Sequence, residues 1–267
     1  MIREILRFEL REQLRSPLLW LVSGLFGLLA FALGSSEAVQ IGGGMGNVHQ
    51  NAPLVVARLM GMFSLFGLLV SAIFVSGALL RDFEQGTAEL YFSTPLRRGH
   101  YLAGRLLAAM LACLLIQVLA AAGLFLAQFM PWIAPERLGP VSLAPYGWSF
   151  AVLVLPNLVL CTTMLALFAT LSRSIMWVYL GVLAFLLAYL VTGVMMRDLD
   201  NIWLVTLSEP LGLRALSWTT RYWSAEERNT GLPAITGYML ANRALWLAVA
   251  AAMLAALFAS FRTGRSG

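Results

Sequence analysis

The sequence predicts an all-α polytopic membrane protein with six transmembrane helices, an N-terminal interfacial helix and a short helix in the connection between spans two and three. Three observations carry this prediction. Of the 267 residues 60% are apolar and 12% charged, whereas soluble domains are about 25% charged. The apolar residues are gathered into six runs, at about 18–35, 55–79, 102–130, 149–171, 175–195 and 240–260. Crossing the hydrocarbon layer takes roughly 20 residues of helix, and each run supplies that length.

The chain opens with "IREILRFELREQLRS". Ile2, Leu6, Leu10 and Leu14 recur every fourth residue, and Arg3, Arg7, Arg11 and Arg15 do so on an adjoining face. That pattern suits a helix lying along the membrane surface, with Pro17 marking the turn into the bilayer. Packing against a partner helix would produce the same pattern. The first apolar run follows a segment too acidic for a signal peptide and is read as a retained span. The third is long enough to tilt. Pro156 and Asn157 fall inside the fourth, where a kink packed against neighbouring helices is expected. Residues 1–17 are thus an interfacial helix, and 18–267 a six-span domain.

All 18 basic residues are arginine. With a cytoplasmic N-terminus, 11 of them (Arg3, Arg7, Arg11, Arg15, Arg81, Arg97, Arg98, Arg105, Arg173, Arg262 and Arg265) fall on the cytoplasmic side and 7 outside. Basic residues favour the cytoplasmic side, so both termini are placed there. The segments 40–53, 131–148 and 197–240 are then external. The last of these, with "EPLGLRALSWTTRYWSAEERN", reads as one or two amphipathic helices that dip toward the membrane, either closing an exit or covering the bundle. Arg58 and Arg105, near the starts of spans two and three, are expected to snorkel to the headgroups.

The chemistry of many enzyme classes is absent. There is no P-loop, no His-Glu-Xaa-Xaa-His pattern and no Gly-Xaa-Ser-Xaa-Gly elbow. His49 and His100 have no companion ligands, so no metal site is expected. Cys113 and Cys161 lie in apolar runs and read as core residues. No acid falls in mid-span, and the spans carry few polar groups, which favours lipid-like, peptide or hydrophobic cargo over a charged ion. No enzyme activity, cofactor or nucleic-acid binding is expected of this chain.

One compact segment breaks the apolar pattern, "RDFEQGTAELYFSTPLRRGHY" at 81–101. Asp82, Glu84 and Glu89 supply charge, and Phe83, Leu90, Tyr91 and Phe92 the apolar body of a short amphipathic helix. Gly86 and Thr87 can end one segment and cap the next, and Pro95 sets a turn before Arg97 and Arg98. Aromatics that fill a pocket, ringed by charges that set registry, suit docking to a partner. A solvated surface loop remains the alternative.

The whole chain resembles the membrane subunit of ABC-2 type ABC transporters, on Glu84-Gln85-Gly86-Thr87, Thr94-Pro95-Leu96-Arg97-Arg98 and Tyr101-Leu102 leading into Gly104-Arg105. The resemblance implies that 81–101 holds a coupling helix, with Asp82, Phe83, Glu84, Gly86, Thr87, Glu89, Tyr91, Pro95, Arg97 and Arg98 as its contact residues. It also implies a cytoplasmic ABC ATPase that binds ATP and Mg, a second membrane subunit, export, and a bacterial inner membrane location. A narrower likeness, on "SSEAVQIGGGMGNVHQNAP", "RDLDN" and "RYWSAEERNT", is to the N-terminal membrane half of ABC permeases fused to an M1-family aminopeptidase. The peptidase and its zinc ligands have no counterpart here, so that activity does not carry over. Two other functions would share the six spans: a non-conducting anchor or assembly protein, and a secondary transporter.

Overall fold

The computed structural model describes residues 2–36, 47–84, 98–195 and 202–263. Every regular element among these is helical. The elements are α1 (Ile2–Arg15), α2 (Pro17–Ser35), α3 (Pro53–Glu84), α4 (Arg98–Ala127), α5 (Ala144–Ser149), α6 (Leu155–Ser172), α7 (Ile175–Met195), α8 (Ile202–Ser208), α9 (Leu213–Thr219), α10 (Ala225–Thr230) and α11 (Gly237–Thr263).

Five stretches of the described residues are long and apolar enough to cross a membrane: Pro17–Ser35, Pro53–Arg81, Arg98–Ala127, Ala144–Ser172 and Gly237–Phe261. They match five of the six predicted spans. The remaining one, 175–195, is α7, an apolar helix over the same residues. The predicted 81–101 connection is shorter than the sequence suggested, because residues 81–84 continue α3 and 98–101 open α4.

The fourth span owes its shape to Pro156. Proline brings no N–H to the helix ladder and crowds the preceding turn. The chain widens just ahead of it into a π turn, Phe150–Val154, with the Leu155 N–H donating to the Phe150 carbonyl. A π turn relieves such a clash without ending the helix. It continues from α5 into α6 and leaves Asn157 1% exposed, turned into the bundle.

Helix α4 is the central element, packed against α1, α2, α3 and α6. It meets α2 through small residues. A Cβ on Gly123 would lie 2.0 Å from the Gly27 carbonyl oxygen, and one on Gly34 would lie 2.9 Å from Ala127 Cβ. Small residues let helix backbones approach in a membrane, where dispersion rather than hydrophobicity drives association. Gly27 and Gly34, like Ala120 and Ala127, are spaced seven apart along this seam.

The two ends of the bundle differ. At one end α1 packs across the start of α4 and reaches the end of α3 through the Glu9–Arg81 ion pair. At the other, the loops before α3 and after α4 are tied to each other and to α10. The Gln50 N–H donates to Arg137 O at 2.9 Å, and Asn51 exchanges hydrogen bonds with Gly139 at 2.9 and 2.7 Å. Asn229 of α10 accepts from the His49 N–H and donates to Asn47 O, each at 2.8 Å. The described parts of the segments expected outside thus share one end of the bundle, opposite α1.

Candidate functional site

The face that α1 turns to the bundle carries Ile2, Ile5, Leu6 and Leu10, all half-buried, beside two polar residues that are buried more deeply. Its buried residues are Glu9 and Gln13, while Phe8 is 57% exposed and Leu14 38% exposed. Arg3, Arg7, Arg11 and Arg15 all point outward. A helix that buries a carboxylate needs a partner charge beneath it, since an unpaired buried ion is strongly unfavourable.

Two arginines supply that charge. Arg81 of α3 places Nη2 at 3.1 Å from Glu9 Oε2 and 3.4 Å from Oε1. Its Nη1 lies 3.6 Å from Glu12 Oε1. Arg105 of α4 sets Nε 3.6 Å from Glu9 Oε2 and donates from Nη1 to the Ala78 carbonyl at 2.6 Å. Arg105 is 3% exposed and Glu9 1%. Arg105 therefore does not snorkel to headgroups as the sequence suggested: α1 lies across it, and its charge is spent on Glu9. Its guanidinium also stacks over Tyr101, 4.6 Å from the ring centroid, and Tyr101 stacks on Phe261 of α11 at 6.3 Å.

Gly104 makes this contact possible. A Cβ there would lie 2.8 Å from Ile5 Cγ2 and 3.3 Å from the Leu6 backbone nitrogen. The two residues of the Gly104-Arg105 pair thus act together, one admitting the α1 backbone and the other pairing its buried acid. The node joins α1, α3, α4 and α11 at the root of the 85–97 segment.

Of the predicted contact residues, Asp82, Phe83 and Glu84 fall in the last turn of α3, and Arg98 is the first residue of α4. Gly86, Thr87, Glu89, Tyr91, Pro95 and Arg97 lie outside the described residues. The sequence reading missed Glu9. The signal was there: in α1, Glu9 and Gln13 fall on one stripe with Ile2, Ile5 and Leu6 at helical spacing.

A second polar cluster lies at the opposite end, also unforeseen. The turn between α8 and α9 is buried, with Glu209 3% exposed. Its carboxylate accepts the N–H groups of Leu211 at 3.1 Å and Arg214 at 3.2 Å, so it caps the start of α9. Asn242 of α11 donates to Thr206 O and Glu209 O at 2.8 and 2.7 Å. Arg243 donates to Asn157 Oδ1 at 2.8 Å and to Pro210 O at 2.9 Å, and also binds Asn242 Oδ1. Asn157 in turn donates to Leu211 O at 3.1 Å. Gly212 sits at φ +80, and a Cβ there would lie 2.5 Å from the Arg243 guanidinium carbon. Burial pushes the Glu209 carboxyl above the usual carboxylate range, against the pull of its backbone donors and of Arg243 and Arg214.

The spans are more polar inside than the sequence suggested. Ser64, Ser71, Gln117 and Asn157 line a small void of about 10 Å³ between α3, α4 and α6. The segment read as one or two amphipathic helices is three short ones, α8, α9 and α10; buried side chains tie α8 and the α8–α9 turn to α6 and α11, while α10 packs against α3.

The family described as ABC-2 family transporter protein matches residues 3–201, three quarters of the chain. The match takes in α1, the Glu9–Arg81–Arg105 node, the 85–97 segment and the spans through α7. No curated protein matches the chain.

Proposed function

The chain belongs to the ABC-2 transporter family, and from that premise we propose that it works as an exporter subunit coupled through residues 81–101 to a separate cytoplasmic ABC ATPase. As a family member it is a membrane permease component of an ABC transporter. In the proposed cycle the ATPase, holding ATP and Mg, moves the segment between α3 and α4. Phe83 docks in a groove of the ATPase, while Glu84, Glu89, Arg97 and Arg98 set its registry.

The observation that supports this reading is the Glu9 node. A push on residues 85–97 must enter the bundle through the ends of α3 and α4. There Arg81 and Arg105 share one carboxylate on α1, so the two helix ends and α1 are linked as a unit. A non-conducting anchor has no need of such a linkage at the root of its cytoplasmic loop. We place both termini in the cytoplasm of a bacterial inner membrane, from the arginine distribution and the resemblance. The likeness to permeases fused to an aminopeptidase is kept as a proposal on the same footing.

One chain supplies half of a symmetric pathway, so two membrane subunits are proposed to assemble with two ATPase subunits. Native mass measurement of the chain co-expressed with its ABC ATPase tests this. A two-plus-two complex is the expected result, and an active complex holding one copy of this chain and no other membrane subunit contradicts it.

A further inference from the structure

The side of α1 that faces away from the bundle carries a ladder of like charges. Arg3, Arg7, Arg11 and Arg15 are all exposed, and at 1.5 Å per residue they span about 18 Å of the helix. Two residues turn a helix by about 200°, so Arg7 and Arg11 stand opposite the buried Glu9. None of the four has an ion-pair partner among the described residues. Glu9 and Glu12 are drawn to Arg81, which leaves Glu4 as the one acid of α1 on the arginine side. Like charges four residues apart repel along a helix, so this face calls for anions from outside the chain.

The ladder is continuous with the outer side of a span. Trp20 Nε1 donates to the Leu14 carbonyl at 2.8 Å, which locks the last turn of α1 to the first turn of α2. Trp20 is itself exposed, as are Phe8, Leu14, Leu18 and Leu21. Tryptophan concentrates at headgroup depth, where the phosphates of a bilayer lie. Arginines interleaved with exposed aromatic and aliphatic residues make a membrane-surface contact, and the continuity with α2 favours lipid over an acidic protein face. We propose that this face of α1 is a contact site for anionic phospholipids, with the guanidinium groups on headgroup phosphates and Phe8 and Leu14 at the acyl boundary. A headgroup of net negative charge, such as phosphatidylglycerol, meets the surplus of positive charge. Phosphatidylcholine carries its own cation and meets it poorly. The attraction is between exposed charges, so it weakens as salt rises.

Native mass spectrometry of the purified full chain, titrated with phosphatidylglycerol and phosphatidylcholine of matched acyl chains at low and raised ionic strength, tests the assignment. The titration needs no ATPase, so its outcome stands apart from the proposed coupling. Arg7→Gln combined with Arg11→Gln removes two charges from the middle of the ladder at exposed positions, and Arg7→Lys combined with Arg11→Lys keeps both charges. Wild type and the lysine variant should hold phosphatidylglycerol at least about tenfold more tightly than phosphatidylcholine at low salt, with the ratio shrinking as salt rises. The glutamine variant should lose most of that ratio while keeping the wild-type unfolding midpoint. Equal retention of the two lipids by wild type, a ratio insensitive to salt, or an unchanged ratio in the glutamine variant overturns the proposal. Weaker ATPase binding by the glutamine variant with its lipid ratio intact overturns it too, and assigns the face to the ATPase.

Discussion

A carboxylate held between two guanidinium groups sets the stability of the α1 end. Glu9 and Arg105 are both almost fully enclosed, so removing either leaves a buried charge with less compensation. Breaking a buried pair in this way costs about 3–5 kcal/mol. Arg105→Met should lower the thermal unfolding midpoint of the detergent-solubilised chain sharply. Arg7→Met, on the exposed face, should leave it within error. At the other end Glu209 governs a pH dependence. Its carboxyl is raised in the folded state by burial, so the folded chain holds a proton over a pH range where the unfolded chain has released it. The stabilisation is complete below the ordinary glutamate range near 4.3 and is lost as pH rises through the folded value. The groups facing Glu209 are Arg243, Arg214 and Tyr189. Glu209→Gln should flatten the fall in unfolding midpoint with rising pH, and an unchanged profile would assign it to another group.

Among the elements, helix existence and order were legible in the sequence because 20-residue apolar runs have few other solutions. Their limits were less so. The extension of α3 to Glu84 and the start of α4 at Arg98 place charged turns beyond the apolar runs; hydropathy ends where lipid ends, not where the helix does. The stripe of α1 marked the face on which Glu9 lies, but the charges that compensate Glu9 and Glu209 were illegible for a different reason. Whether an acid is solvated or paired depends on arginines 72 and 34 residues away in the chain, and local periodicity cannot report such pairs. Arg105 was misread in the same way, since an arginine near a span end looks alike whether headgroups or Glu9 receive it. The small-residue seam between α2 and α4 was visible only as composition. Gly123→Val should force the two backbones apart, because even a Cβ cannot fit against Gly27. The expected outcome is loss of folded, monodisperse protein on size-exclusion chromatography. Gly24→Val, where a Cβ meets open space, should behave as wild type.

For the whole molecule, the arrangement has a charged node at one end, a second polar node at the other, and a helical bundle between them. The interlocked loops around Asn229 require that residues 47–51 and 225–230 share one side of the membrane. Single cysteines at Gln50 and Ser224, in a background without Cys113 and Cys161, should both react with an impermeant thiol reagent on intact cells. Labelling of both only after the membrane is opened would invert the proposed orientation, and labelling of one alone would contradict the fold.

The central claim is that the segment between α3 and α4 receives the work of an ATPase. Phe83 is the proposed anchor, since a desolvated aromatic contact can contribute about 2 kcal/mol or more, while Glu84 supports it from the rim. The direct measurement is ATPase binding and transport-stimulated hydrolysis in the reconstituted complex, comparing wild type with Phe83→Ala combined with Glu84→Ala. Both residues lie in the final turn of α3, beyond the apolar window of that span. The double variant should therefore insert, assemble and unfold as wild type does, yet bind the ATPase at least about tenfold more weakly and lose stimulation. Unchanged affinity and unchanged stimulation in a folded double variant would contradict the account.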